Sequence, residues 1–103
     1  MGGVHSAAIS VASYYVHSRI AEEKRLWAEQ VMSASKDGTI KRTLEILGNP
    51  TSEWKTIPAD LSRYSNGSVT NYRRVLLFTH VNQGAFVYVD DNERIIGAEV
   101  FEQ

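Results

Sequence analysis

The sequence predicts an α+β domain: a long N-terminal helix, a short second helix, and then a three- to four-stranded antiparallel meander. Apolar residues at helical spacing occupy the first half of the chain, and runs rich in β-branched and aromatic residues occupy the second half. Helices and strands in separate blocks are typical of α+β folds. The chain has 103 residues, which suits one domain with one core.

The long helix is predicted from about His5 to Ala34, because no proline interrupts this region. Residues 1–18 contain no Lys, Arg, Asp or Glu and are mostly small or apolar. Small residues recur four apart, as at Ala8 and Ala12, and this spacing favours close helix packing in a bilayer.

We therefore expect membrane lipid or partner helices around residues 4–20. Residues 1–20 would form an uncharged helical segment, and residues 21–103 a small α+β interaction domain. A soluble amphipathic helix or a disordered tail is the alternative for the first segment, since serines and two histidines make it a weak membrane span.

The second half of the long helix carries a stripe predicted to pack on the sheet: Ile20, Trp27, Val31 and Ala34, with Leu26 and Met32 beside it. A second helix is predicted from Ile40 to Leu47. Asp37 or Thr39 would cap its first amides, and Gly48 followed by Pro50 would end it.

Three consecutive strands are predicted after an irregular region. The first candidate runs from Val69 to Val81, and Asn82-Gln83-Gly84 would turn the chain into Ala85-Phe86-Val87-Tyr88-Val89. Asp90-Asp91-Asn92-Glu93 would turn it again into a strand from Arg94 to Phe101. An edge strand is also predicted near Trp54 and Ile57, ended by Pro58.

Motifs for catalysis or ligand binding are not found in the sequence. There is no cysteine, so disulfides and thiolate metal sites are excluded, and the acidic turn lacks the spacing of a calcium loop. The net charge is −1, which favours neither nucleic acid nor acidic partners. We expect no metal, no cofactor, no small-molecule substrate and no enzyme activity. A small enzyme using His80 with Asp90 or Glu99 is a minor alternative.

Several short segments, in order, resemble the mitochondrial cytochrome c oxidase assembly factor one family. They are Gly2-Gly3, Tyr14-Tyr15, His17-Ser18-Arg19, Ala28-Glu29-Gln30, Leu47-Gly48-x-Pro50, Gly84, Val87-Tyr88-Val89 and Glu99-Val100-Phe101-Glu102. The resemblance spans residues 2–102, although residues 51–68 do not align. It implies a non-catalytic accessory subunit or assembly factor of a mitochondrial inner-membrane respiratory complex. Its partners would be other protein subunits of that complex.

A second resemblance is to the small lipoprotein of the bacterial outer-membrane barrel-assembly machinery. It rests on Leu47-Gly48-Asn49-Pro50-Thr51, placed between two helices and an antiparallel sheet. The lipid-bearing cysteine of that family is absent. This resemblance implies a soluble or bacterial-envelope protein-binding module.

Large aromatic residues and arginine are the usual anchors of protein interfaces. The residues predicted to bind partners are Ala8 and Ala12, from the spacing of small residues, together with Tyr15, Trp27, Trp54, Tyr64 and Arg73. The alternative for Trp27 and Trp54 is that they are core or ordinary surface residues.

Overall fold

In the computed structural model of the chain, the described residues are 21–36 and 38–102. They form helix α1 (21–36), helix α2 (Ile40–Leu47) and strands β1 (Ser52–Trp54), β2 (Arg74–His80), β3 (Gln83–Val89) and β4 (Ile95–Glu102). A short 3-10 helix, Ser62–Tyr64, lies between β1 and β2. The predicted α+β fold class is confirmed. The predicted start of the long helix and the alternative cap Asp37 lie outside the described residues.

Helix α2 has the predicted bounds because its end signals are local. The Thr39 side chain accepts a hydrogen bond from the Arg42 backbone N–H at 3.4 Å, which makes Thr39 the N-cap. At the other end Gly48 takes a φ of 81°, and its N–H donates to the Leu44 carbonyl at 2.9 Å. That left-handed φ favours glycine and ends the helix.

The four strands lie in the order β1-β2-β3-β4, and all neighbours are antiparallel. The segment joining the two helices also reaches the sheet. Thr39 forms an isolated antiparallel bridge with Arg94, and the Ile95 N–H donates to the Gly38 carbonyl at 3.0 Å. The start of the edge strand β4 is therefore fixed to the connection between the helices.

The β2–β3 turn differs from its prediction. Val81 and Asn82 form the turn with positive φ values of 27° and 55°, and β3 already begins at Gln83. Gly84 lies within β3, opposite Phe101. A Cβ on Gly84 would lie only 2.3 Å from the Phe101 ring, so this glycine makes room for an aromatic side chain rather than for a turn.

The helices cover one face of the sheet. Val31 and Ala34 of α1 are fully buried, and Val31 packs with Leu76, Phe78 and Val87. Trp27, Ile40, Leu44 and Leu47 are half-buried against the same cluster. The predicted stripe therefore packs on the sheet in its described part, whereas Leu26 and Met32 are exposed.

The second face of the sheet is covered by residues 55–73, which the sequence pattern did not predict. This segment places Ile57, Leu61, Tyr64, Val69 and Tyr72 over a buried cluster formed by Val75, Leu77, Phe86 and Tyr88. The strand predicted from Val69 begins only at Arg74, because the preceding residues belong to this layer. All of β3 is consequently buried, since both faces of that strand are covered.

Candidate functional site

The structure divides the predicted partner-binding residues between the two faces of the sheet. Ala8, Ala12 and Tyr15 lie outside the described residues. Trp27 lies on the helix face, and Trp54 and Tyr64 pack on the opposite face, all three half-buried. Arg73 is exposed, and its backbone N–H donates to the Val89 carbonyl at 2.7 Å. Trp54 and Arg73 line a common groove, but the four residues do not form one continuous patch.

Trp27 joins α1 to the end of β2. Its ring stacks on His80 with a centroid distance of 5.4 Å and an angle of 12° between the ring planes. Next to this pair, the Gln83 side-chain amide donates to the Lys24 carbonyl at 3.0 Å. Lys24 Nζ also lies 3.7 Å from Glu102 Oε1. The beginning of α1 is therefore held to the β2–β3 turn and to the end of β4.

Two buried polar atoms lie close to this junction. His80 Nδ1 and Gln83 Oε1 have no hydrogen-bond partner within residues 21–36 and 38–102. The two residues are directly opposite each other across β2 and β3. Buried polar atoms without a hydrogen-bond partner are uncommon in folded proteins. This end of the sheet therefore has incomplete hydrogen bonding.

An aromatic cluster lies under residues 55–73. Tyr64 stacks on Phe101 with ring centroids 4.7 Å apart, and Phe101 contacts Phe86 at 4.8 Å. The Arg63 guanidinium lies 4.9 Å from the centroid of the Tyr64 ring, within cation–π range. Tyr64 thus fastens the 3-10 helix to the sheet, which is a packing role visible in the structure.

A polar network fastens the same layer. Tyr88 is fully buried, and its hydroxyl donates to Glu99 Oε1. The Ser65 hydroxyl lies 3.0 Å from both the Tyr88 hydroxyl and Glu99 Oε1. The Asn66 backbone N–H donates to Glu99 Oε2 at 2.8 Å. Hydroxyl, phenol and carboxylate therefore meet at one point between the covering segment and two strands.

The surroundings of Tyr88 disfavour its ionised form. Desolvation by burial raises the pKa of Tyr88 well above its ordinary value, and the hydrogen bond to the Glu99 carboxylate raises it further. Tyr88 therefore stays a hydrogen-bond donor at neutral pH. The sequence contained this residue only as part of a buried strand, because its partners Ser65 and Glu99 are distant along the chain.

The acidic turn after β3 is stabilised by its own backbone. Asp90 Oδ1 accepts hydrogen bonds from the N–H groups of Asn92 and Arg94, both at 2.9 Å. Glu93 pairs with Arg74, which also pairs with Glu53. Within the part of the chain that the structure describes, no group of three or more acidic or histidine side chains is arranged to hold a metal ion.

The residues of the minor enzyme hypothesis are not brought together. His80 stacks on Trp27 on the helix face of the sheet. Glu99 bonds to Tyr88 on the opposite face, and Asp90 lies at the far end of β3 from His80. No pairing of His80 with either acid is therefore formed.

Helix α1 carries two exposed apolar side chains, Leu26 at 50% and Met32 at 46% exposure, which lie about 120° apart around the helix. A shallow groove of about 450 Å³ lies along it, lined by Arg25, Ala28, Glu29, Met32, Ser33 and Lys36. We call these six residues the outer α1 surface. The sequence pattern placed Leu26 and Met32 beside the buried stripe. Each lies more than about 100° around the helix from the centre of that stripe, and this was the available signal of their exposure.

Charged side chains border this groove. Arg25 pairs with Glu29 at 2.7 Å and with Glu22 at 3.6 Å. An apolar centre within a polar rim is the usual composition of a protein interface. The outer α1 surface is therefore the best candidate binding surface among the described residues.

A comparison with known proteins found no matching family, no matching characterised protein and no matching solved structure. In the described ranges, no helix combines the length and the hydropathy required to cross a membrane. The expected membrane contact at residues 4–20 lies outside those ranges and stays a prediction.

Proposed function

We propose that this protein is a non-catalytic interaction subunit, acting as an accessory subunit or assembly factor of a membrane-bound respiratory complex. The observation that supports it most directly is the outer α1 surface. There Met32 is 46% exposed instead of joining the core. Methionine is enriched in protein interfaces, so an exposed Met32 beside a groove suits contact with a protein partner.

Binding would rely on contact area and shape. Met32 is flexible and polarizable, so it adapts to an apolar pocket on a partner. The ion pairs that Arg25 makes with Glu22 and Glu29 would border the contact and exclude partners with unmatched charge.

The respiratory complex and the mitochondrial inner membrane enter this proposal through the family resemblance described above. Residues 1–18 add support, since a charge-free segment so close in sequence to α1 suits burial in a bilayer or among partner helices. The alternative is a soluble or bacterial-envelope binding module, supported by the Leu47-Gly48-Asn49-Pro50-Thr51 segment. In that case the N-terminal segment would pair with a partner or with itself.

The test uses native membranes from cells that express the full chain. The membranes are washed with carbonate, and the detergent extract is run on a native gel probed for the chain. Retention after carbonate, with migration beside a respiratory complex, is the expected result. Release as a soluble monomer would contradict the membrane proposal and favour the soluble module.

The outer α1 surface is tested in the same assay with Met32→Glu. We expect this variant to stay folded and lose co-migration, because it places a charge where an apolar anchor is required. Lys41→Gln is the matched control, since it changes the net charge equally at an exposed position of α2. Co-migration of Met32→Glu at the parent level would exclude this surface as the docking site.

A further inference from the structure

The β2–β3 turn and the beginning of α1 meet at one end of the domain. The Gln83 amide donates to the Lys24 carbonyl at 3.0 Å, and Trp27 stacks on His80. Ala21, Lys24, Gln83 and Glu102 line one groove at this end. The beginning of α1 therefore lies beside the start of β3, next to the turn, and we call this region the α1–turn end.

Val81 at the tip of this end is unusual for a turn residue. Its φ of 27° lies in a region that β-branched residues rarely occupy, and its side chain is 68% exposed. Neither its backbone conformation nor its packing favours valine over asparagine or glycine, which are the usual residues of such turns. Backbone strain of this kind often marks a functional position.

A second exposed apolar side chain lies near the beginning of α1. Glu23 and Lys24 share a small cavity of about 130 Å³ with His80, Val81 and Asn82. Leu26 is exposed and lies one helical turn after Glu23, so it belongs to the same end of α1. Val81 and Leu26 thus give the α1–turn end two exposed aliphatic groups.

The charges of this end are balanced. Glu22 and Glu23 precede Lys24 and Arg25 in the first turns of α1. Arg25 is paired with Glu22, and Lys24 with Glu102. A surface that attracted this end would do so through its apolar layer, since the end has no excess positive charge for anionic lipids.

We propose that Val81, with Leu26, inserts into the interfacial layer of the lipid bilayer and sets the orientation of the domain on the membrane. This inference rests on the proposed function, in which residues 4–20 are embedded. The chain enters the domain at Ala21, beside this end, so the embedded segment would bring Val81 and Leu26 to the membrane surface. The tip of the β2–β3 turn would then make a second attachment point.

The test exploits the absence of cysteine from the chain. Single-cysteine variants of the full chain, Val81→Cys, Asp91→Cys and Ala12→Cys, are labelled with an environment-sensitive fluorophore and reconstituted into phosphatidylcholine vesicles. Lipids with a spin label near the headgroup act as quenchers. Asp91 is the matched control, because it is exposed in the β3–β4 turn at the opposite end of the sheet.

We expect strong quenching at positions 12 and 81 and several-fold weaker quenching at position 91. Quenching at position 12, with position 81 matching position 91, would overturn this inference and leave the embedded segment in place. Absence of quenching at all three positions would overturn both the lipid contact of Val81 and the proposed embedding of residues 4–20.

A protein occupant is distinguished by repeating the labelling in native membranes. Protection of the position 81 label by a cross-linked protein, without quenching in vesicles, would also overturn the lipid contact. Each variant is first checked for native circular dichroism, which we expect to be unchanged because both turn positions are exposed.

Discussion

The Tyr88 side chain makes both an aromatic contact and a hydrogen bond that hold residues 55–73 on the sheet. Its ring centroid lies 4.9 Å from that of Tyr72, and its hydroxyl donates to Glu99. A buried phenol of this kind is stabilising only while it is protonated, because the phenolate would lie in an apolar layer beside a carboxylate.

The stability of the domain should therefore fall at alkaline pH. In the unfolded chain the Tyr88 phenol ionises near its reference pKa of about 10. The fold raises this pKa, so the stabilisation is complete below about pH 10 and is lost as the pH rises towards the folded value. Chemical unfolding at a series of alkaline pH values measures this loss of stability. In Tyr88→Phe the free energy of unfolding should fall less steeply with pH. An equally steep fall would show that Tyr88 is not its cause.

Val81 should be replaceable with a gain in stability. Val81→Asn places a residue that tolerates positive φ in the turn, and we expect a gain of about 1 kcal/mol in the free energy of unfolding. Urea denaturation measures this gain in the free energy of unfolding. Asn82→Val is the matched opposite change at φ 55° and should lower stability by a similar amount. Equal stability of the two variants would show that the turn is not strained.

At the scale of the elements, Gly84 determines how β3 and β4 pack. Gly84→Ala would bring a Cβ to 2.3 Å from the Phe101 ring, so the ring or the strand must shift. We expect a loss of about 1–3 kcal/mol in the free energy of unfolding. In a Phe101→Leu background the same change should cost less, which a double-mutant cycle measures. Additive costs would contradict a direct clash.

The N-cap of α2 gives a second prediction for an element. Thr39→Ala removes the oxygen that accepts the Arg42 N–H and should cost about 1 kcal/mol of stability. Thr56→Ala, an exposed threonine outside any helix, is the control and should be neutral. Thermal unfolding compares the two variants. A neutral Thr39→Ala would mean that the Thr39 backbone bridge to Arg94, rather than its side chain, fixes this helix end.

Elements with local signals could be predicted well from the sequence. The bounds of α2 follow from Thr39, Gly48 and Pro50, which act within a few residues of the helix ends. The β2–β3 turn could not be placed, because Val81 contradicts ordinary turn chemistry and Gly84 resembles a turn glycine. The role of Gly84 depends on Phe101, which is distant in the chain and adjacent only in the sheet.

At the scale of the whole molecule, the sheet lies between two layers of different construction. The helix layer was predictable from the periodicity that places Trp27 and Val31 on one face. The layer of residues 55–73 has neither helical nor strand periodicity, so its packing was not visible in the sequence. The same limit applied to the candidate surface, because Met32 was identifiable as apolar but its exposure depends on how α1 is oriented on the sheet.

Glu99 should control the attachment of this second layer. Glu99→Ala removes the acceptor for the Tyr88 hydroxyl and the Asn66 N–H, which we expect to cost about 1–3 kcal/mol. Limited proteolysis should then cut residues 55–73 faster. Glu102→Ala, at the exposed end of the same strand, is the control and should be cut at the parent rate. Unchanged proteolysis of Glu99→Ala would show that aromatic packing alone holds the layer.

The burial of β3 on both faces also affects the chain before it is folded. From Val75 to Val89 there is no Lys, Arg, Asp or Glu, and the segment is rich in residues with high β-propensity. Such a segment self-associates readily when it is not covered. Arg74 and Asp90 flank it on either side and act as gatekeepers. We therefore expect this hairpin to be the part of the chain most prone to aggregation until both layers cover it.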